Sequence, residues 1–136
     1  MKDTNTTCTE LIALAREKYL IDKKRNEAKY LDLKWMLDEI IAEVEEVRAE
    51  IKEENSVFLE DELGDILWGI VVAAVRLEKM EYITSAEKIV ERALQKYTER
   101  IAPLEGNISD DEHWERVKQQ QKIALRKEND LRHKKD

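Results

Sequence analysis

Glu62-Leu63-Gly64-Asp65-Ile66-Leu67-Trp68-Gly69-Ile70-Val71-Val72-Ala73-Ala74-Val75-Arg76-Leu77 is the stretch that decides how this chain reads. Beyond Leu63 it is apolar nearly all round, the mark of a central helix. Its opening carries two carboxylates, Glu62 and Asp65, three residues apart and therefore on one helical face. A charge in such a run must meet water, a cation or a donor, because leaving it buried and unpaired is prohibitively costly. Glu62 suits a first turn, where the helix dipole favours an acid. Asp65, between Gly64 and Ile66, suits it less. Gly64 and Gly69 each cost roughly 1 kcal/mol in a helix interior relative to Ala, a cost that close packing or ligand approach would offset.

Working upstream, Glu43 and Glu46 repeat the same spacing. They belong to a stripe, Glu39, Glu43, Glu46 and Glu50, that spans about 60° of arc beside an apolar stripe of Ile40, Val44, Val47 and Ile51. Alone, this would be a solvated helix face. Basic partners are mostly missing from it, however, and like charges three or four apart destabilise a helix by a few tenths of a kcal/mol per pair. A divalent cation would turn that repulsion into chelation. Carboxylate oxygen favours magnesium, manganese or calcium over zinc or iron. The only histidines, His113 and His133, lie far along the chain, and the E-x-x-H of diiron bundles is absent. Magnesium, with Mn2+ as its substitute, completes its octahedron with waters and substrate phosphates, so the paired carboxylates point to phosphate chemistry.

Composition sets the frame. With 136 residues the chain is expected to form a single domain around one core. Three Gly and one Pro leave little punctuation for strands and turns, which favours an all-α protein. A net charge of -7 argues against nucleic acid as a partner, though a metal can reverse the local sign for a nucleotide. Cys8 is alone, and the longest apolar run, Ile66 to Val75, is too short to span a bilayer. No membrane association and a cytoplasmic location are the expectation.

Helix signals predict five segments: about Thr9–Asn26, Tyr30–Glu54, Val57–Lys79, Ser85–Ile101, and one from near Asp110 that frays into a polar tail from about residue 123. Capping-box patterns at Thr7 to Glu10, Thr84 to Glu87 and Ser109 to Glu112 support three of the starts. An antiparallel four-helix-bundle-like core with an extra C-terminal helix is the economical architecture.

Glu43-x-x-Glu46, a fifteen-residue spacer, then Glu62-Leu63-Gly64-Asp65 and Ile66-Leu67-Trp68 resemble the MazG nucleotide pyrophosphohydrolases. Their signature is E-E-x-x-E, a spacer, and E-x-x-D. Downstream, Lys96-x-x-x-Arg100, Gly106, Trp114, Lys118 and Lys122 resemble the family's K-x-x-x-R, G and W-x-x-x-K segment. The resemblance runs from Leu37 to Lys122, with one departure: Ala42 stands where the family has the first Glu. It implies an all-α, magnesium-dependent homodimer or homotetramer that cleaves nucleoside triphosphates to monophosphate and pyrophosphate, a nucleotide-pool house-cleaning activity. It assigns Glu43, Glu46, Glu62 and Asp65 to metal binding and catalysis, and Lys96, Arg100, Trp114 and Lys118 to the substrate. Spacing agrees: Lys96 and Arg100 share a face, as do Trp114 and Lys118. No P-loop is present, so metal and side chains must hold the phosphates. The base remains open, since all-α dUTPases and phosphoribosyl-ATP pyrophosphohydrolases share the acidic-helix design. The rival reading is a non-catalytic helical module, for protein interaction or nucleotide sensing.

Overall fold

A computed structural model describes residues 3–134; Met1, Lys2 and the last two residues of the polar tail, Lys135 and Asp136, lie outside them. The expected helical class is what the structure has: α1 (Thr4–Lys24), α2 (Leu33–Glu50), α3 (Ser56–Lys79), α4 (Ala86–Ile101) and α5 (Asp110–Arg132), with a 3-10 turn over Ala28–Leu31. No strand occurs among the described residues. The chain falls into two compact units, Met1–Ile89 and Val90–Asp136.

In the first unit α2 and α3 pack along each other, and α3 packs against α1. The five residues joining α2 to α3 make them antiparallel neighbours. Asn55 closes that turn, its Nδ2 donating to the Glu50 carbonyl (2.8 Å) and to Glu50 Oε2 (2.6 Å). The second helix is therefore shorter than expected: it ends at Glu50, and Glu54 takes a left-handed φ of 53°. The core gathers Ile12, Ala15, Ala74, Val75 and Ala86, with Tyr19, Trp68, Val71, Val72 and Ile83 against it. Small residues dominate its centre, which lets the backbones approach. Arg16 ties the elements together, donating to both oxygens of Glu78 (3.1 and 2.6 Å) and pairing with Glu87, while Glu78 Oε1 accepts from the Ala86 amide at 3.0 Å. The arginine holds the Glu78 carboxyl below its ordinary range. Asp22, 2 % exposed, pairs with Lys18 and Arg25, and the Arg25 guanidinium lies 4.2 Å from the Tyr30 ring. That ion-paired corner, rather than a continuous helix, turns α1 toward α2.

Several starts differ from the capping patterns. α1 begins at Thr4, and its cap is Asp3, which accepts from the Thr6 amide at 3.0 Å. At α4 the Lys88 amide donates to Ser85 Oγ, one residue later than the box suggests. At α5 the Ser109 side chain caps nothing; Asp110 instead accepts from the amides of Glu105 (2.9 Å), Gly106 (2.8 Å) and Asn107 (3.2 Å). Gly106, at φ +84°, supplies the left-handed residue this loop needs. α5 does not fray near residue 123 but runs unbroken to Arg132. In the second unit α4 and α5 are antiparallel, joined by Arg92–Glu128 at one end and Arg100–Gln121 at the other.

The two glycines of α3 separate. A Cβ on Gly69 would sit 2.8 Å from Ile40 Cγ1, so this glycine is the close-approach point of α2 and α3; around Gly64 nothing lies within 4 Å. Ile40 is stiff at χ1 and cannot easily yield. Gly69→Ala is expected to destabilise by about 1 kcal/mol net, overpacking of about 1–3 kcal/mol exceeding a helix-propensity gain of roughly 1 kcal/mol. Gly64→Ala is expected to stabilise by up to about 1 kcal/mol. Paired urea melts would show the opposite signs, and a shared sign would refute the packing assignment.

Candidate active site

The four acidic residues converge in the first unit because the α2–α3 turn lays one helix back along the other. Oxygens of Glu43, Glu62 and Asp65 all lie within 4.8 Å of one another. Glu46 adjoins them and its charge bears on both Glu43 and Glu62. Glu43 Oε2 and Glu62 Oε2 are buried without a hydrogen-bond partner. Nearby cations are turned elsewhere: Arg48 to Glu45 at 3.5 Å and Lys52 to Glu50 at 4.0 Å.

Crowding of like charge shows in the protonation. The Glu43 carboxyl is pushed up to about 7, first by burial, then by Glu46, with Asp65 and Glu62 adding to it. Burial and then Glu46 push Glu62 up as well. Two orphaned buried oxygens, drawn together with a third carboxylate and no cation among them, are what a hard divalent ion would satisfy. Glu43, Glu62 and Asp65 could hold such an ion, with Glu46 beside them.

Asp65 departs from expectation in one respect. It is exposed, not enclosed by the apolar helix, and Leu63, Leu67 and Ile70 around it are 50, 53 and 45 % exposed. One flank of the first half of α3 is thus uncovered, while its second half holds the buried Ala73, Ala74 and Val75. The glutamate stripe of α2 also divides. Glu50 is spent on Asn55, and Glu39 is exposed outside the cluster, so neither belongs to the carboxylate group.

The basic and aromatic candidates lie in the second unit. Arg100 is 8 % exposed, its guanidinium carbon 5.5 Å from the Tyr97 ring and 5.2 Å from the Trp114 ring, with Nε donating to Gln121 Oε1 at 2.8 Å. Lys96 Nζ lies 5.6 Å from the Tyr97 ring and lines a groove of about 540 Å³ between α4 and α5; Arg100 is not among that groove's lining residues. Both cations lie over the Tyr97 ring, as their helical spacing suggests, and Arg100 reaches Trp114 as well. Lys118 is half-buried on α5. Gln121 escaped the sequence reading, although it continues the Trp114, Lys118 spacing by three.

No described helix is long and apolar enough to cross a membrane. Comparison with curated proteins and with solved structures returned no match. Residues 32–103 do match the family model described as the MazG nucleotide pyrophosphohydrolase domain. That span holds all four acids, Lys96 and Arg100, and ends before Trp114 and Lys118. Covering just over half of the chain and every member of the carboxylate cluster, the match places this protein in the MazG nucleotide pyrophosphohydrolase family.

Proposed function

We propose that this chain hydrolyses nucleoside triphosphates to nucleoside monophosphate and pyrophosphate in a magnesium-dependent reaction, acting as a single pyrophosphohydrolase domain in the cytoplasm. The observation that carries the reading is the carboxylate group itself: Glu43, Glu62 and Asp65 within 4.8 Å, two of them with orphaned buried oxygens. Glu43, Glu46, Glu62 and Asp65 are assigned to magnesium, with manganese as a substitute. When bound, the cation neutralises phosphate charge and acidifies a water.

The chain's own residues do the rest. One carboxylate of the group takes the proton from an attacking water. Arg100 has its guanidinium beside two aromatic rings and no carboxylate partner among the described residues, which suits it to an oxyanion. Lys96 and Lys118 add positive charge, and Trp114 supplies a wall for the substrate. A homodimer or homotetramer is supported by the uncovered side chains of Leu63, Leu67 and Ile70, joined by Leu37, Ile41 and Phe58 at 51, 63 and 65 % exposure.

The direct test incubates the purified protein with a panel of ribo- and deoxynucleoside triphosphates and magnesium, reading pyrophosphate and monophosphate. Expected is equimolar release of both, abolished by a chelator and restored by magnesium. Release of orthophosphate with diphosphate would refute the bond assignment. Nucleotide binding without turnover would select the sensing alternative.

A further inference from the structure

We propose that Gln121 is a positioning residue, which holds Arg100 so that the terminal nitrogens of its guanidinium face an oxyanion of the substrate. The inference rests on the reading of Arg100 as a phosphate-binding group and adds a residue outside the acidic and basic motifs.

Geometry assigns the orientation of the amide. Gln121 Oε1 accepts from Arg100 Nε at 2.8 Å, and its Nε2 donates to the Lys96 carbonyl and to Glu99 Oε2, both at 2.9 Å. A flipped amide would set donor against donor at Arg100 and oxygen against oxygen at Lys96 and Glu99, losing all three bonds. One orientation is therefore enforced, and it grips the arginine at Nε, the atom about which the guanidinium plane would otherwise swing. Two aromatic rings limit that plane from other directions.

What remains is a fork with nothing to hold. Arg100 has no carboxylate partner among the described residues, and its Nη nitrogens are absent from the buried, unbonded polar atoms, so they reach solvent. An 8 % exposed guanidinium paired only with a neutral amide and π faces is electrostatically uncompensated. The nearest acid in sequence, Glu99, is occupied by the amides of Gln95 (3.3 Å) and Gln121. Gln121 thus satisfies Glu99 without spending Arg100 on it. Its bond to the Lys96 carbonyl pins the preceding turn of α4, so one side chain from α5 braces the backbone carrying both family cations.

The test compares Gln121→Met, which keeps the packing but has no hydrogen bonds, with Gln121→Glu, which still accepts from Nε but neutralises the arginine. Titration calorimetry with inorganic pyrophosphate, in a chelator, reads the oxyanion site without turnover. Expected is about a tenfold loss of pyrophosphate affinity in Gln121→Met, the scale of one hydrogen bond to a charged group, and a larger loss in Gln121→Glu. KM for the nucleotide should rise by about the same factor, with kcat within about twofold. A purely structural glutamine would lower the melting temperature but leave affinity and KM alone. Unchanged affinity in either folded variant, or no pyrophosphate binding by the parent, overturns the proposal; should Gln121→Met fail to fold, Gln121→Asn, a neutral amide one methylene shorter, takes its place with the same expected loss. If pyrophosphate binds as expected but no nucleotide is cleaved, the hydrolase reading falls and Gln121 keeps its role.

Discussion

Asp65→Asn is expected to cut magnesium-dependent pyrophosphate release by at least about a hundredfold while raising the melting temperature of the metal-free protein. The two effects have opposite signs because one charge serves two states. With a cation present, Asp65 is a hard oxygen ligand within 4.8 Å of oxygens of Glu43 and Glu62. Its amide keeps the shape but gives up the charge, and metal-based charge stabilisation is worth several kcal/mol of barrier, which is more than about a hundredfold in rate. Without a cation, the same charge is a burden: it helps to drive both neighbouring carboxyls upward. Removing it relieves that repulsion. Pyrophosphate assays and thermal melts in chelator would read both halves. Full activity in the variant, or a metal-free protein that melts lower, would sink the assignment.

Helix class was legible from composition and periodicity, and the α3 and α4 boundaries fall within a residue of expectation. The carboxylate group was legible too, since three-residue spacing fixes a face and two such faces on adjacent helices tend to meet. What could not be read was allocation. Glu50 lies on the same stripe as Glu43 and Glu46, but it sits where α2 must end, and Asn55 claims it. Arg100 and Lys96 share a helical face on paper. In the fold both lie over Tyr97, but Arg100 is also drawn to Trp114 and held by Gln121, contacts that the spacing does not reveal. Helical spacing sets where a side chain starts, and competition among partners sets where it ends. The apolar run of α3 misleads for a related reason. Apolarity all round predicts burial, but Leu63, Leu67 and Ile70 stay about half-exposed while Ala73, Ala74 and Val75, farther along, are buried.

The metal-free protein is expected to lose stability as pH rises from about 5 to about 8, and saturating magnesium to flatten that slope. Glu43 releases its proton near 4.5 in the unfolded chain but only at about 7 in the fold. Between those values the folded state binds more protons than the unfolded one, so stability falls with rising pH and levels off above about 7. Glu62 shifts in the same direction and adds to the slope. Glu78 and Asp110 shift downward, so their contribution is intact throughout this window and is lost only in stronger acid. The window therefore isolates the carboxylate group. A cation binds the ionised form, so at saturating magnesium the folded site, like the unfolded chain, carries almost no proton across this interval, and stability should stay nearly level. At a hundredfold excess over the dissociation constant the gain is about 2.7 kcal/mol, several degrees of melting temperature for a domain of this size. Melts at each pH, with chelator and with magnesium, would show a falling curve and a nearly level one that diverge toward alkaline pH. A flat or rising chelator curve would mean that the four acids are an ordinary solvated face, and the metal assignment would fail even if the hydrolase activity were found.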